Sequence, residues 1–428
     1  MKKLSFAACM IAMMAMCVGC SSDAPEDGEM PPLRKYEEPS GEYTPYRSIE
    51  MDADTEAVVN MTGEFSFRFF REAMNRSDKN SVVSPASIAI ALAMTANGDT
   101  GDSRDEILTL LGFDPAKYNI DHLNEYCRIM LTELPKLDGQ TACRFANSFW
   151  HAPGMKLKKS FSDILVNTYA SEDIPVTPSG EYGMKCINKW VDNYTNGMIP
   201  EFLKVPLNES IDLFLLNATY FKGKWTKEFK EKDSRQGDFR NPDNTVAKAT
   251  FMHTVAPFSY VKTDRMQAIS MPFGNGNFEM TALLPSQELD FDEFIKSVSF
   301  EEFKTVIAQM RSRDNALVTL SFPKFQTEIN EDMTEMMKNM GLENAFGRGL
   351  NDIFPDFKAI ITKIQQAVKI KVDETGAEAA AVTGIGIETS GAPEYSEEVK
   401  LDFNRPFLYM IRETSTGTIL FMGKEAWF

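Results

Sequence analysis

Between two strand-like runs near the carboxy terminus lies a stretch that a compact domain rarely tolerates. Val372-Asp373-Glu374 ends one run and the next begins near Val399. The interval spans about 25 residues, whereas loops without structure of their own are uncommon beyond ~12–15. It is built of small residues: Thr375-Gly376-Ala377-Glu378-Ala379-Ala380-Ala381-Val382-Thr383, then Gly384, Gly386, Ser390, Gly391 and Ala392 before Pro393. From Ala377 to Ile385 there is no Pro, and Glu378 is the one charge. Such a half-loop can become a strand, because strand addition excludes Pro and accepts small side chains on a buried face. With a two-residue period, Ala377, Ala379, Ala381, Thr383, Ile385 and Ile387 share one uncharged face and Glu378 falls on the other. Composition alone also admits a flexible Ala- and Gly-rich linker.

The rest of the chain must then supply a body able to receive a strand. Of 428 residues, 43% are hydrophobic and 25% charged, a globular balance with enough apolar side chain for a large core. Val58, Met61, Phe65, Phe69 and Phe70 recur at helical steps after Asp54, and polar residues from Asn75 to Asn80 end that period. Ser84-Pro85 opens a second apolar helix through Met94, and Ser103 to Leu111 reads as a third, closed by Gly112. Strands are expected at Leu213–Tyr220, Phe278–Leu284, Leu317–Phe322 and Val368–Asp373, with a hairpin turn over Phe273–Asn277. Helices cluster early and strands late, so the class is α+β with large, mostly antiparallel sheets.

The first residues read as an address. Lys2 and Lys3 precede an apolar run from Leu4 to Val18, shorter than the ~20 residues a membrane-spanning helix needs but suited to a signal peptide. Cys17-Val18-Gly19-Cys20 resembles a bacterial lipobox, which implies cleavage after residue 19 and a lipid on Cys20. A plain signal peptide with a chance Cys is the alternative. Residues 20–50, rich in Pro and acidic side chains, are expected to be a disordered tether, and residues 51–428 the folded domain. An exported lipoprotein of a Gram-negative outer membrane or cell surface follows as the expected location.

Conventional catalysis finds no foothold. The three His residues, His122, His151 and His253, have no Cys, second His or glycine-framed Ser at a motif spacing. No phosphate-cradling or dinucleotide loop is present. Neither a metal nor a cofactor is expected, and Cys127, Cys143 and Cys186 read as small buried hydrophobes. A net charge of −17 opposes binding to nucleic acid.

The segment Lys371-Val372-Asp373-Glu374-Thr375-Gly376-Ala377-Glu378-Ala379-Ala380-Ala381 resembles the proximal hinge of an inhibitory serpin. Leu401 to Ile411 is similar to the serpin signature, and Thr418 to Lys424 to the family's last strand. Asn80 to Ala91, Asn217 to Trp225, and Phe322-Pro323-Lys324-Phe325 with Met340-Gly341-Leu342 and Ala345-Phe346 match further motifs in family order.

The resemblance implies a serpin fold with a reactive loop over 374–398. It implies a protease inhibitor that is itself cut, forming an acyl-enzyme and then inserting the loop as a strand. The implied hinge is Glu374, Gly376, Ala377, Ala379, Ala380, Ala381 and Thr383. Ser84, Ser87, Asn217 and Gln366 fall at shutter positions, where the family often has His in place of Gln366. Trp225 and Lys324 fall at the breach, with Lys324 able to pair with Glu374.

Counting along the loop at the family's usual length sets the scissile bond at Ser390–Gly391. The interval from Glu374 to Phe407 is a few residues longer than in many members, so cuts after Glu388 or Thr389 stay open. No Lys or Arg lies between Glu374 and Val399, which favours elastase-like targets over trypsin-like ones. Papain-like or subtilisin-like proteases are alternatives, and a glutamyl-specific one if the cut follows Glu388. The expected partners are that protease, as a covalent complex with a monomer, and a membrane through Cys20. A serpin-fold surface binding protein without inhibitory activity is the other class of reading.

Overall fold

A computed structural model describes residues 32–33, 39–211, 213–313, 315–377, 395 and 397–428. Most of the reactive loop, with Ala379, Ala380, Ala381, Thr383, Glu388, Thr389, Ser390 and Gly391, therefore lies outside the described residues, as does Cys20.

Six longer helices occupy the first half: α1 Ala53–Met74, α2 Pro85–Ala96, α3 Asp102–Leu110, α4 Ile120–Glu133, α5 Lys159–Asn167 and α6 Gly180–Tyr194. Asp52 caps α1 by accepting from Thr55 N, and the helix begins at Ala53, one residue ahead of the periodic start at Asp54. The strands, in chain order, begin with β1 Ser81–Val83, β2 Ala142–His151, β3 Glu172–Ile174, β4 Leu213–Lys224 and β5 Arg235–Arg240. There follow β6 Val246–Lys262, β7 Met266–Phe273, β8 Phe278–Pro285, β9 Ala316–Pro323 and β10 Phe325–Asp332. The last are β11 Gln365–Asp373, β12 Gly376–Ala377, β13 Glu398–Asp402, β14 Phe407–Glu413 and β15 Ile419–Glu425.

Two sheets result. The larger runs β1-β15-β14-β8-β7-β6-β9-β13, with β5 also paired to β6. The six-stranded sheet runs β10-β11-β12-β4-β2-β3. Pairings are antiparallel except β13 with β9 and β2 with β3.

Helix α2 lies between the sheets, touching both β4 and β15. Nearly every residue of α2 is buried, which is why its sequence is apolar all round rather than striped. Strands β14 and β15 are buried at every position, so they too lack alternation. One buried charge there is paired, Arg412 meeting Glu279 at 2.5 Å inside the larger sheet.

Cys127, Cys143 and Cys186 are buried free thiols. The three His residues take structural partners. His122 Nδ1 accepts from Asn119 N at the start of α4, His151 meets Asp173 at 2.8 Å, and His253 meets Arg235 at 3.1 Å. Among the described residues no helix is long and apolar enough to cross a membrane.

The boundary between tether and body needs moving. Residues 39–50, expected to be tether, lie against the body, with Gly41 N donating to Gly139 O at 2.8 Å and Ile49 buried. Their ties are mostly backbone ones, which a Pro- and Glu-rich composition neither requires nor forbids.

Candidate functional site: the hinge and the gap below it

Strand β11 ends at Asp373, whose Oδ1 accepts from Thr375 N at 3.0 Å and Thr375 Oγ1 at 2.7 Å. That Asx-type turn reverses the chain within two residues. Gly376 and Ala377 then pair on both sides: Gly376 with Asp373 and Lys224, Ala377 with Val372 and Gly223. The hinge thus stands as a two-residue strand between β11 and β4.

Only glycine fits at 376. Its φ is +153°, and an added Cβ would overlap the Gly223 carbonyl oxygen. Gly223 is needed for a related reason, since a Cβ there would meet the Phe273 ring at 2.9 Å.

Trp225 fastens the turn. Its indole N–H donates to Asp373 O at 2.9 Å and its backbone N–H to Thr375 O at 3.0 Å. The ring stacks on Phe273, 4.5 Å between centroids and 15° between planes. Lys324 Nζ lies 2.8 Å from Glu374 Oε2, and Ser234 Oγ donates to Glu374 Oε1 at 2.6 Å. Burial alone would raise the Glu374 carboxyl, but Lys324 and Ser234 outweigh it and hold the group below its ordinary value. Asp373 is likewise pushed up by burial and brought down further by Thr375 and Lys371.

Farther along, no described residue pairs between β4 and β11. Among the described residues β4 has no ladder partner on its hinge side beyond Gly223, and β11 none on its hinge side beyond Val372. A cavity of about 330 Å³ lies at the far end of this gap. Ile88 and Ser87 of α2, Leu215 and Asn217 of β4, and Ile364 and Gln365 at the start of β11 line it.

The shutter residues divide between the two banks. Gln366 Nε2 donates to Ser84 O at 2.9 Å while its Oε1 accepts from Ser84 N at 3.3 Å, so one amide ties β11 to the start of α2. Ser84 Oγ donates to Leu420 O at 2.8 Å and accepts from Ser87 N. Asn217 stands on the other bank, donating to Asn147 Oδ1 of β2 at 2.7 Å.

Sequence motifs point to Glu374, Gly376, Trp225 and Lys324, which the fold brings together. They do not point to Ser234, Gly223 or Phe273. Gly223 and Trp225 share one segment with Asn217, so a two-glycine reading of the close approach was available there. Ser234 sits in a short turn with no pattern of its own.

A sequence model of the family "Serpin (serine protease inhibitor)" matches residues 60–426. An uncharacterized serpin-like protein of Thermococcus kodakarensis is 30% identical over 404 residues, covering 90% of each chain. Human Serpin B4 is 26% identical over 380 residues, 84% of this chain and 97% of its own. The native-state structure of the thermophilic serpin tengpin superposes with a TM-score of 0.77 at 25% identity, covering 90% of this chain and 97% of its own. With the hinge and these likenesses together, the chain belongs to the serpin family of serine protease inhibitors.

Proposed function

We propose that this protein inhibits its target protease as a suicide substrate, with the bond Ser390–Gly391 offered for cleavage. The carrying observation is the pairing of Gly376 and Ala377 with both β4 and β11 at the head of an interval where no other described residue pairs between those strands. Continuing the same register sets residue 384 opposite Gln365, the first residue of β11, and Ile387 opposite Leu213, the first of β4. The gap therefore ends just short of the proposed scissile bond. Small, uncharged residues at alternate positions from Ala377 suit a strand entering a sheet that backs on α2.

In this mechanism the protease nucleophile attacks the Ser390 carbonyl, an ester forms, and the Gly391 amine leaves with the proton the nucleophile gave up. The freed half of the loop then fills the gap and carries the bound protease with it. The drive is strand pairing withheld from the uncut chain, so the native state is held kinetically. An elastase-like target is supported by small residues at the bond and by the lack of Lys or Arg in the loop. A lipid on Cys20 and export to a Gram-negative surface would set the inhibitor where foreign or released proteases arrive. That part is supported by Lys2 and Lys3, the apolar run Leu4–Val18 and the lipobox-like Cys17-Val18-Gly19-Cys20.

The test is incubation with elastase-, subtilisin-, trypsin- and papain-like proteases, read by denaturing electrophoresis and mass spectrometry. A denaturant-resistant adduct with a released peptide starting at Gly391 is expected. Loop cleavage that leaves every protease active would favour the non-inhibitory binding protein.

A further inference from the structure

Glu425, the last residue of β15, puts a carboxyl group into the core. It is fully buried, and its register partner on β14 is Phe407. Phe407 and Tyr409 of β14 both lie against Phe325 of β10, at 6.0 and 5.0 Å between ring centroids. Residues opposed in register share a face, so Glu425 points with Phe407 from the larger sheet towards the six-stranded one. There Thr327 Oγ1 of β10 donates to Glu425 Oε1. The other oxygen, Oε2, is buried without a hydrogen-bond partner among the described residues, and so is the Tyr409 hydroxyl.

No described cation answers the charge this carboxyl would carry. Lys424, its neighbour in the chain, points to the other face and donates to Met74 O at 3.2 Å and Ser77 O at 2.5 Å. Arg412 of β14 is engaged by Glu279. On β11 the cations are Lys369 and Lys371, which pair with Glu328 at 3.1 Å and Asp373 at 3.2 Å. They alternate with the inward-facing Val368, Ile370 and Val372 and so lie on the outer face. Asn80, just before β1, is neutral and accepts from Ala426 N and Trp427 N at 2.8 Å each. The titratable neighbour on Glu425's own side is Tyr409.

An ionised carboxylate in such a place has one hydroxyl and no countercharge, whereas the neutral acid leaves only one O–H unpaired. Burial pushes the Glu425 carboxyl up to about 8, and the Thr327 bond pulls it back only in part.

We infer that Glu425 is a proton-held latch between the two sheets: uncharged, it seats β15 on β10, and loss of its proton loosens the native fold. The latch lies away from the hinge turn and stands whether or not the loop inserts. The unfolded chain gives up this proton near the ordinary 4.5 and the folded chain near 8, so the stabilisation is complete below pH 4.5 and is lost as pH rises towards 8. That slope is opposite to the one set by Asp373 and Glu374, whose carboxyls are lowered. The fold is thus fastened more firmly in mildly acidic surroundings than in alkaline ones.

The test uses the full chain and Glu425→Gln, which keeps an acceptor for Thr327 but cannot ionise. Unfolding rates in a fixed urea concentration are measured from pH 6 to 8.5. The unaltered chain is expected to unfold about tenfold faster or more at pH 8.5 than at pH 6, with most of that rise absent from Glu425→Gln. Groups common to both chains, His151 among them, cancel in the comparison. A second measurement needs no variant. Infrared spectra of the unaltered chain at pH 6.5, where ordinary carboxyls are ionised, should show a protonated-carboxyl band that fades above pH 8.5. Parallel rate profiles in the two chains, or no such band at pH 6.5, overturns the latch.

Discussion

At residue 376 a single methyl group is enough to test the proposed inhibitory mechanism. Gly376→Ala forces a Cβ against the Gly223 carbonyl at a positive φ, a strain of about 1–3 kcal/mol confined to the two-residue strand β12. The expected result is a folded protein whose loop is still cut but whose adduct yield falls roughly tenfold or more. Equal adduct yield would show that the close fit at Gly376 does not limit loop insertion. Gln366→Ala strands the buried Ser84 N–H, while Ser84 O keeps Ile88 N; the cost is about 1–3 kcal/mol, and denaturant unfolding should show that loss. These residues differ in how visible they are beforehand. Glu374 and Lys324 stand in recognisable motifs, so their 2.8 Å pairing could be expected. Ser234 acts through one hydroxyl, which leaves no periodic or compositional trace.

The turn from β11 into β12 depends on two carboxylates. Asp373 and Glu374 both titrate below their ordinary values of 3.8 and 4.5 when folded. Their stabilisation is complete above those values and is lost as pH falls through the lower folded ones. Acidification below about pH 4 is therefore expected to loosen the hinge, while pH 6 to 8 leaves these carboxylates unchanged. Hydrogen exchange at the Trp225 and Phe229 amides, which donate to Thr375 O and Glu374 O, would report it. Protection at pH 3.5 equal to that at pH 7 would contradict it. Helix α2 starts on the same bank, where Gln366 ties its cap residue Ser84 to β11. Ser84→Ala removes its cap, about 1 kcal/mol, and also the bond to Leu420 O, so a larger loss than an ordinary cap is expected in thermal unfolding. The helix itself was plain from Ser84-Pro85 and its apolar run, because capping and burial leave local marks. The extension of β4 to Lys224 and the pairing of β12 were not, because ladder partners far apart in sequence are set by tertiary packing.

On the scale of the molecule, the proposed mechanism adds a strand that the chain itself carries to the six-stranded sheet, between β4 and β11. About ten residues of loop would gain ladder bonds on both sides, at ~1 kcal/mol net each, and about 2 °C of melting temperature follows each kcal/mol for a chain this long. The most direct measurement is therefore thermal unfolding of the pure protein before and after its loop is cut with a protease it does not trap. A rise of roughly 20 °C on cutting, with no other bond broken, is the expected result. An unchanged or lowered melting temperature would mean that the gap between β4 and β11 does not accept the loop, and the inhibitory mechanism would fall with it.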